Sequence, residues 1–221
     1  MPKILFIIES LHSGGKERRL VEFIKYLHNN SSFTIDLILT DRTIHYTEVL
    51  NIDISIHYLK RTIIKNNPLQ FVNTYVLIKS ISPDIIHAWG NMVSLLAIPA
   101  KILLKIPLVN SQITDAPLKN GSFITKARNF IAFLLSNRIL ANSRAGINAY
   151  MPPINKSRVI YNGFDFKRIA RLEEHHTKTE ISIISKYVIC MVASFNQTKD
   201  YSTFIRAASI ILGDRQDITF L

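Results

Sequence analysis

The feature of this sequence that most constrains its fold is a regular alternation of short apolar runs with longer stretches of helical period. The apolar runs lie between turn-forming residues and are short enough for strands. Runs in which successive residues are all apolar give strands with two apolar faces, and such strands are typical of a parallel sheet covered by helices on both faces. The sequence therefore predicts an α/β fold. The predicted strands are 3–8, 33–39, 54–59, 84–88, 108–111, 138–141 and 159–160, and the helices are 16–28, 68–81, 92–104 and 123–135.

The length of 221 residues allows one large domain and part of a second. Residues 166–186 are charged and polar and lack a sustained apolar stripe, which predicts a linker. A strand at 187–193, a helix at 200–212 and a strand at 218–221 follow, too little to close a core. We therefore predict a domain at 1–165 and the incomplete start of another at 187–221; the alternative is that the last elements extend the first sheet.

The chain is strongly basic, with 27 Lys and Arg against 16 Asp and Glu and a formal net charge of +11. Such a balance favours a partner rich in phosphate, an anionic lipid or a nucleic acid. Nine of these net charges fall within 119–171. The single cysteine, Cys190, excludes an intrachain disulfide and a cysteine zinc site, and it favours a reducing compartment. The predicted location is cytoplasmic, since the opening apolar run is too short for a signal peptide.

A glycine pair stands between the first predicted strand and the first predicted helix. Free backbone N–H groups and the helix dipole at that point favour an anion, so Gly14 and Gly15 are candidate phosphate-binding residues. A plain tight turn is the alternative. The loop matches neither the dinucleotide-binding fingerprint nor the P-loop, which argues against redox and nucleoside triphosphate chemistry.

Polar and aromatic side chains follow the predicted strands at 84–88 and 108–111. His87 ends the first of these strands, and the carboxyl ends of parallel strands are where α/β proteins bind ligands. Trp89, the only tryptophan, and Asn110 and Asp115 stand at the same predicted rim. The alternatives are a hydrogen-bonded structural histidine, a packed tryptophan and ordinary turn residues.

Other motifs point less clearly to chemistry. Lys199 precedes a predicted helix and is placed to meet a phosphate, although a solvated lysine is the alternative. His175 and His176 are adjacent rather than four apart, so no metal site is predicted. No hydrolase motif occurs.

Four segments, taken in order, resemble the family-four retaining glycosyltransferases of the GT-B class, in which two Rossmann-like domains face each other across a cleft. The resemblance covers the whole chain, as a Rossmann-like acceptor-side domain followed by the first βαβ of a truncated donor-side domain. The segments are SGGKER at 13–18, DIIHAWG at 84–90, VIYNGFD at 159–165, and VASF at 192–195 with Lys199 and Asp200.

The resemblance implies roles for the residues that match those segments. Gly14 and Gly15 would border the donor diphosphate and the acceptor. His87 would lie near the sugar or the acceptor hydroxyl as a catalytic residue, and Trp89 stands where the family often has a second histidine.

The later segments would supply the hinge and the donor phosphate site. Asn162, Gly163 and Asp165 would mark the crossing to the donor domain. Lys199 would hold the donor phosphates, with Ser194 at the place of the family's arginine. That departure weakens the diphosphate clamp or reflects a variant donor mode.

The activity implied is transfer of a sugar from a nucleotide-sugar to a hydroxyl of a glycan or lipid-linked acceptor, with retention, in polysaccharide biosynthesis. No metal and no other cofactor is implied. The family's Glu-x7-Glu segment would fall beyond Leu221, so the chain as given is expected to be inactive as a fragment.

The predicted helix 123–135 mixes apolar and basic residues in a way typical of a helix on an anionic membrane surface. A core helix with a solvated basic edge is the alternative.

A GT-B sugar-nucleotide epimerase and a non-catalytic basic binding module are the competing function classes. Nucleic acid is not expected, because the aromatic residues lie within an apolar run. The basic residues that flank the apolar run of the predicted membrane-surface helix are Lys126, Arg128, Arg138 and Arg144, and the apolar run comprises Phe130, Ile131, Phe133, Leu134 and Leu135.

Overall fold

The computed structural model describes residues 1–59, 67–117, 121–164, 166, 183–193, 195 and 199–221. The chain divides into two compact units, Met1–Gly163 and Phe164–Leu221. Asp165 and most of the predicted linker, 167–182, lie outside the described residues. Each unit carries a sheet of its own.

The first unit is built on a seven-stranded sheet in which every neighbouring pair is parallel. The strand order is β3-β2-β1-β4-β5-β6-β7. This confirms the predicted α/β class with a Rossmann-like parallel sheet. The strands are β1 Lys3–Ile8, β2 Thr34–Leu39, β3 Ser55–Tyr58, β4 Ile85–Trp89, β5 Leu108–Ile113, β6 Arg138–Ala141 and β7 Ser157–Val159.

Helices cover both faces of this sheet, as its doubly apolar strands require. Within β1, Leu5 and Ile7 join a core cluster with helices α2 (Leu69–Ile81), α3 (Asn91–Leu96) and α4 (Ile98–Leu103), whereas Phe6 and Ile8 join a cluster with α1 (Gly15–Asn30). Successive side chains of a strand point to opposite faces, so one strand anchors both layers. The helices are α1 Gly15–Asn30, α2 Leu69–Ile81, α3 Asn91–Leu96, α4 Ile98–Leu103, α5 Phe123–Leu135 and α6 Arg144–Tyr150.

The single helix predicted at 92–104 is wrong, because the structure has two short helices there, α3 and α4, with Ala97 between them. Pro99 lies in the first turn of α4. Proline lacks the N–H that would continue the hydrogen bonding of α3, and its ring clashes with the carbonyl four residues before it. A new helix beginning just before Pro99 satisfies both constraints.

The strand order places a crevice at the carboxyl end of the sheet, between β1 and β4. The chain passes from β1 to β2 and β3 on one side and then returns to β4 on the other, and ligands of open α/β sheets bind at such switch points. Gly90, after β4, has φ 158°, and a Cβ there would lie 2.0 Å from a carboxylate oxygen of Glu9. Glycine therefore suits this backbone conformation, which other residues rarely adopt, and it leaves room for the Glu9 side chain.

The second unit contains β8 Tyr187–Ile189, α7 Tyr201–Asp214 and β9 Ile218–Phe220. Strands β8 and β9 pair in parallel in a sheet of their own. The strand predicted over 187–193 ends earlier, at Ile189, although a further hydrogen bond from the Met191 N–H to the Leu221 carbonyl, at 2.9 Å, continues the pairing. Asp200 caps α7, its carboxylate accepting a hydrogen bond from the Thr203 backbone N–H at 3.1 Å.

Candidate functional site

A cavity of about 260 Å³ opens at the carboxyl ends of strands β4 to β7, on the face of the sheet that α1 covers. We call it the edge cavity. Arg19 and Phe23 of α1 form one wall, and His87 and Trp89 of β4 form another. Most of the remaining lining is apolar, with a few polar groups at the strand ends. This composition is typical of a small-molecule site.

His87 is the buried polar centre of the edge cavity. Its side chain is held among aromatic rings, with centroid distances of 5.4 Å to Phe6, 6.1 Å to Phe23 and 5.3 Å to Trp89. Its Nε2 lies 2.6 Å from the Ser111 hydroxyl. Nδ1 has no hydrogen-bond partner in the described part of the chain and is left for a ligand.

Burial lowers the pKa of His87 from 6.5 to about 3, because the surrounding apolar rings disfavour the charged imidazolium. The imidazole is therefore neutral at physiological pH. A neutral imidazole offers one donor and one acceptor nitrogen, which suits a hydroxyl group better than an anion.

Stability is expected to depend on pH through this group. Between pH 6.5 and 3 the unfolded chain binds a proton at His87 and the folded chain does not, so stability falls as the pH decreases through that range. From pH 7 to pH 5 the loss is on the order of 2 kcal/mol. Urea unfolding at both pH values measures it, and the loss should shrink in His87→Gln.

A second histidine supplies the matched control for this pH dependence. His28 is exposed near the end of α1, so His28→Gln should keep the native loss of stability between pH 7 and pH 5. Equal losses in the native chain and in His87→Gln would contradict a depressed pKa for His87.

Two buried polar atoms among the cavity-lining residues have no protein partner in the described part of the chain. They are the indole Nε1 of Trp89 and the side-chain oxygen of Asn142. The amide nitrogen of Asn142 is engaged, donating to the Thr114 carbonyl at 2.7 Å. Buried polar groups are normally hydrogen-bonded, so this unpaired donor and this unpaired acceptor are exceptions, and both belong to residues that line the edge cavity. A hydroxyl group that reached them could pair with either, since it both donates and accepts.

The predicted glycine loop does not line the edge cavity. A carboxylate oxygen of Glu17 lies 2.1 Å from where a Cβ of Gly14 would stand, and Lys16 pairs with Glu9 at 2.8 Å. At Gly15 a Cβ would meet nothing within 4 Å. The start of α1 thus already holds a carboxylate beside Gly14, and a phosphate there would have to displace it.

Asn110 and Asp115, predicted at the rim, do not line the edge cavity. Asn110 is fully buried and bonds to Gln112, accepting from its backbone N–H at 2.9 Å. Asp115 accepts a hydrogen bond from the Tyr150 hydroxyl at 2.9 Å. Burial, with this contact as a second cause, raises the pKa of Tyr150 to about 12. Both residues hold the end of β5 in place.

The predicted hinge residues Asn162 and Gly163 do line the edge cavity. Asp165 and Ser194 lie outside the described residues. Lys199 is exposed in the second unit, just before α7.

Sequence reasoning missed several residues that line the cavity, among them Arg19, Asn142 and Tyr161. Arg19 precedes Phe23 by four positions, the spacing that places two side chains on one helix face, so that signal was present. Asn142 directly precedes Ser143, the cap of α6, whose hydroxyl accepts from the Gly146 backbone N–H at 3.0 Å.

The described residues contain no group of three or more His, Cys, Asp or Glu side chains placed to hold a metal ion. No protein-family model and no curated protein sequence matches the chain.

Several solved structures share this fold over the whole chain. HepE of Anabaena, in complex with UDP and glucose, has a TM-score of 0.75 at 18% identity, over 100% of this chain and 60% of HepE. A glycosyltransferase of Rickettsia africae has a TM-score of 0.69 at 18% identity, over 100% and 68%. The UDP-N-acetylglucosamine 2-epimerase of Rickettsia bellii has 0.56 at 15%, over 100% and 68%.

These similarities show that the chain has the same α/β fold as these proteins. The chain spans less than two thirds of the HepE chain that it matches.

Proposed function

We propose that the complete protein is a glycosyltransferase that moves a sugar from a UDP-sugar to a hydroxyl group of a glycan or lipid-linked acceptor. The observation that carries this proposal is the edge cavity, with a neutral buried histidine and two unpaired polar atoms at the carboxyl edge of a GT-B-type sheet. HepE, which has this fold, was solved with UDP and glucose.

In this proposal the edge cavity binds the acceptor. Trp89 Nε1 and the Asn142 oxygen orient its hydroxyl groups, and His87 hydrogen-bonds the hydroxyl that reacts. The bond from the sugar C1 to the donor phosphate oxygen breaks as the acceptor oxygen bonds to C1. An imidazole with a pKa of about 3 is too weak a base to take the acceptor proton, so the proton goes to the leaving phosphate oxygen. That oxygen lies on the face that the acceptor enters, which gives retention.

The donor phosphates would be held by fixed positive groups in place of a metal ion. The candidates are the backbone N–H groups at Gly14 and Gly15, together with Lys199 and Ser194. Preorganised donors of this kind stabilise a leaving phosphate without reorganisation. Transfer by the complete protein should therefore persist in EDTA, and complete loss of transfer in EDTA would overturn the metal-free part of the proposal.

An epimerase is the second candidate, because the Rickettsia bellii enzyme shares the fold. The complete protein incubated with UDP-glucose or UDP-N-acetylglucosamine, with and without a glycan and lipid extract, separates the two. A transferase releases UDP and labels the extract. Conversion of the UDP-sugar to its epimer without any extract would favour the epimerase.

We also propose that α5 rests on an anionic membrane surface. Phe130, Ile131 and Leu134 are 66%, 45% and 51% exposed, whereas Phe133 is buried in the core, so α5 has one free apolar face. The four basic residues around it, Lys126, Arg128, Arg138 and Arg144, form no ion pair with an acidic side chain in the described part of the chain. No described helix is long and apolar enough to cross a membrane. A helix with exposed apolar side chains and cations without acidic partners among the described residues, here Lys126 and Arg128, suits a membrane surface.

Vesicle co-sedimentation tests the α5 surface. Binding to phosphatidylglycerol vesicles should exceed binding to phosphatidylcholine vesicles, and the double variant Phe130→Ser, Leu134→Ser should weaken it by roughly tenfold or more. Tyr26→Ser is the control, since Tyr26 is 64% exposed on α1, which covers the opposite face of the sheet. The membrane proposal would be contradicted if the bound fraction were the same with and without anionic lipid and did not change with salt concentration.

A further inference from the structure

Arg19 is the one ionised side chain among the described residues that line the edge cavity, and no carboxylate lines it. His87 is neutral there, and the rest of the lining is apolar or uncharged. The cavity wall therefore carries a single formal positive charge. A charge at the wall of a largely apolar cavity attracts an anion more strongly than it does in water, and the Glu22 carboxylate beside Arg19 offsets part of that attraction.

The guanidinium of Arg19 is only partly used by the protein. One of its terminal nitrogens donates to the Glu22 carboxylate at 3.0 Å. The two residues lie three positions apart on α1, and each side chain is about one quarter exposed. Partly exposed ion pairs of this kind contribute little to the free energy of folding. The other N–H groups of Arg19 have no partner in the described part of the chain. Arginine binds carboxylate and phosphate with two parallel hydrogen bonds, so donors remain for a ligand.

The neighbouring arginine shows what a fully engaged side chain looks like on the same helix. Arg18 pairs with Glu48 and stacks over the ring of Tyr46, 4.2 Å from its centroid. It does not line the edge cavity. Arg18 and Arg19 are thus matched in type, charge and helix, and they differ in whether the cavity is in reach.

We propose that the edge cavity binds an acceptor sugar bearing an anionic group, a carboxylate or a phosphate, and that Arg19 holds that group. This inference rests on the proposed transferase function, since it treats the edge cavity as the acceptor site. It narrows the acceptor to acidic sugars, such as uronic acids, or phosphorylated sugars. In both, neutral hydroxyl groups are left for Trp89 and Asn142.

Trp89 provides the readout, because it is the only tryptophan of the 221-residue chain and lines the cavity. Its emission is followed during titration with glucuronate, glucose 6-phosphate, glucose, inorganic phosphate and UDP at constant ionic strength. Trp89→Phe confirms the source of the signal. We expect at least one anionic sugar to half-saturate at roughly a tenfold lower concentration than glucose, as expected for a charged hydrogen bond. The better of the two sugars shows whether the group is a carboxylate or a phosphate.

Three variants of α1 assign the effect to Arg19. In Arg19→Gln the preference for the anionic sugar over glucose should vanish, and in Arg18→Gln it should persist. Arg19→Lys, which keeps the charge without the planar fork, should retain part of it. Thermal unfolding by circular dichroism establishes that each variant is folded.

Four results would overturn the inference. Glucose could bind as tightly as both anionic sugars, or Arg19→Gln could keep the preference. Inorganic phosphate could match glucose 6-phosphate, which would reduce the site to a general anion site. UDP could give the tightest Arg19-dependent response, which would assign the charge to the donor. The titration needs no turnover, so a failure of the transferase proposal and a failure of this inference are distinguishable.

Discussion

Replacing His87 by alanine in the complete protein is expected to lower kcat for sugar transfer by roughly 100-fold or more, the usual effect of removing a group that hydrogen-bonds the reacting atoms. His87 is buried at the centre of the edge cavity with Nδ1 free for a ligand. The KM for the UDP-sugar should change little, because the donor phosphates are assigned to other residues.

The kcat and KM of purified variants measure this expectation. His87→Asn keeps a polar side chain of smaller size and should recover part of the rate, whereas a void alone would affect both variants alike. His28→Ala, at an exposed position of α1, should keep the native rate. A folded His87→Ala protein with native kcat would remove His87 from the catalytic site.

Replacing Phe6 by alanine is expected to lower the free energy of unfolding by about 3–5 kcal/mol, the cost of emptying an aromatic core position. Phe6 is fully buried in β1, where its ring packs 5.7 Å from that of Phe23 and 5.4 Å from that of His87. The loss combines transfer of the ring to water with the cavity that remains.

Urea unfolding of matched variants measures this effect. Phe23→Ala is the control, because Phe23 is 37% exposed at the cavity mouth and should cost about half as much or less. Phe6→Leu refills most of the volume and should cost about 1.5 kcal/mol or less. Equal losses for Phe6→Ala and Phe23→Ala would contradict the central place of Phe6 in the core.

Local pattern predicts much of this fold. The bounds predicted for β1, β6 and α5 are those of the structure, because each element carries its own periodicity and turn signals. The break between α3 and α4 was missed although Pro99 marks it, since a proline in a first helical turn and one inside a helix look alike in a single sequence.

The edge cavity was predicted only in part, because its members come from separate elements. His87 and Trp89 were found from their place at a strand end. Arg19 and Tyr161 line the same cavity only because α1 covers the face of the sheet that the residues following β7 also reach. That juxtaposition depends on the order of strands in the sheet, which local patterns do not specify.

The glycine loop is a second case in which the local sequence does not determine what the site binds. Its residues predict an anion at the start of α1, and the structure places an acidic side chain, Glu17, beside Gly14. Whether that carboxylate gives way to a donor phosphate depends on the strength of the phosphate interaction. A pattern of glycines carries no information on it.

The most direct test of the proposed function is the release of UDP by the complete protein from UDP-glucose or another UDP-sugar, measured with and without acceptor in single-turnover mixing. We expect release that requires the acceptor, persists in EDTA and slows by roughly 100-fold in His87→Ala. Release that is equally fast without acceptor, or equally fast in the variant, would contradict a transferase whose acceptor site is the edge cavity.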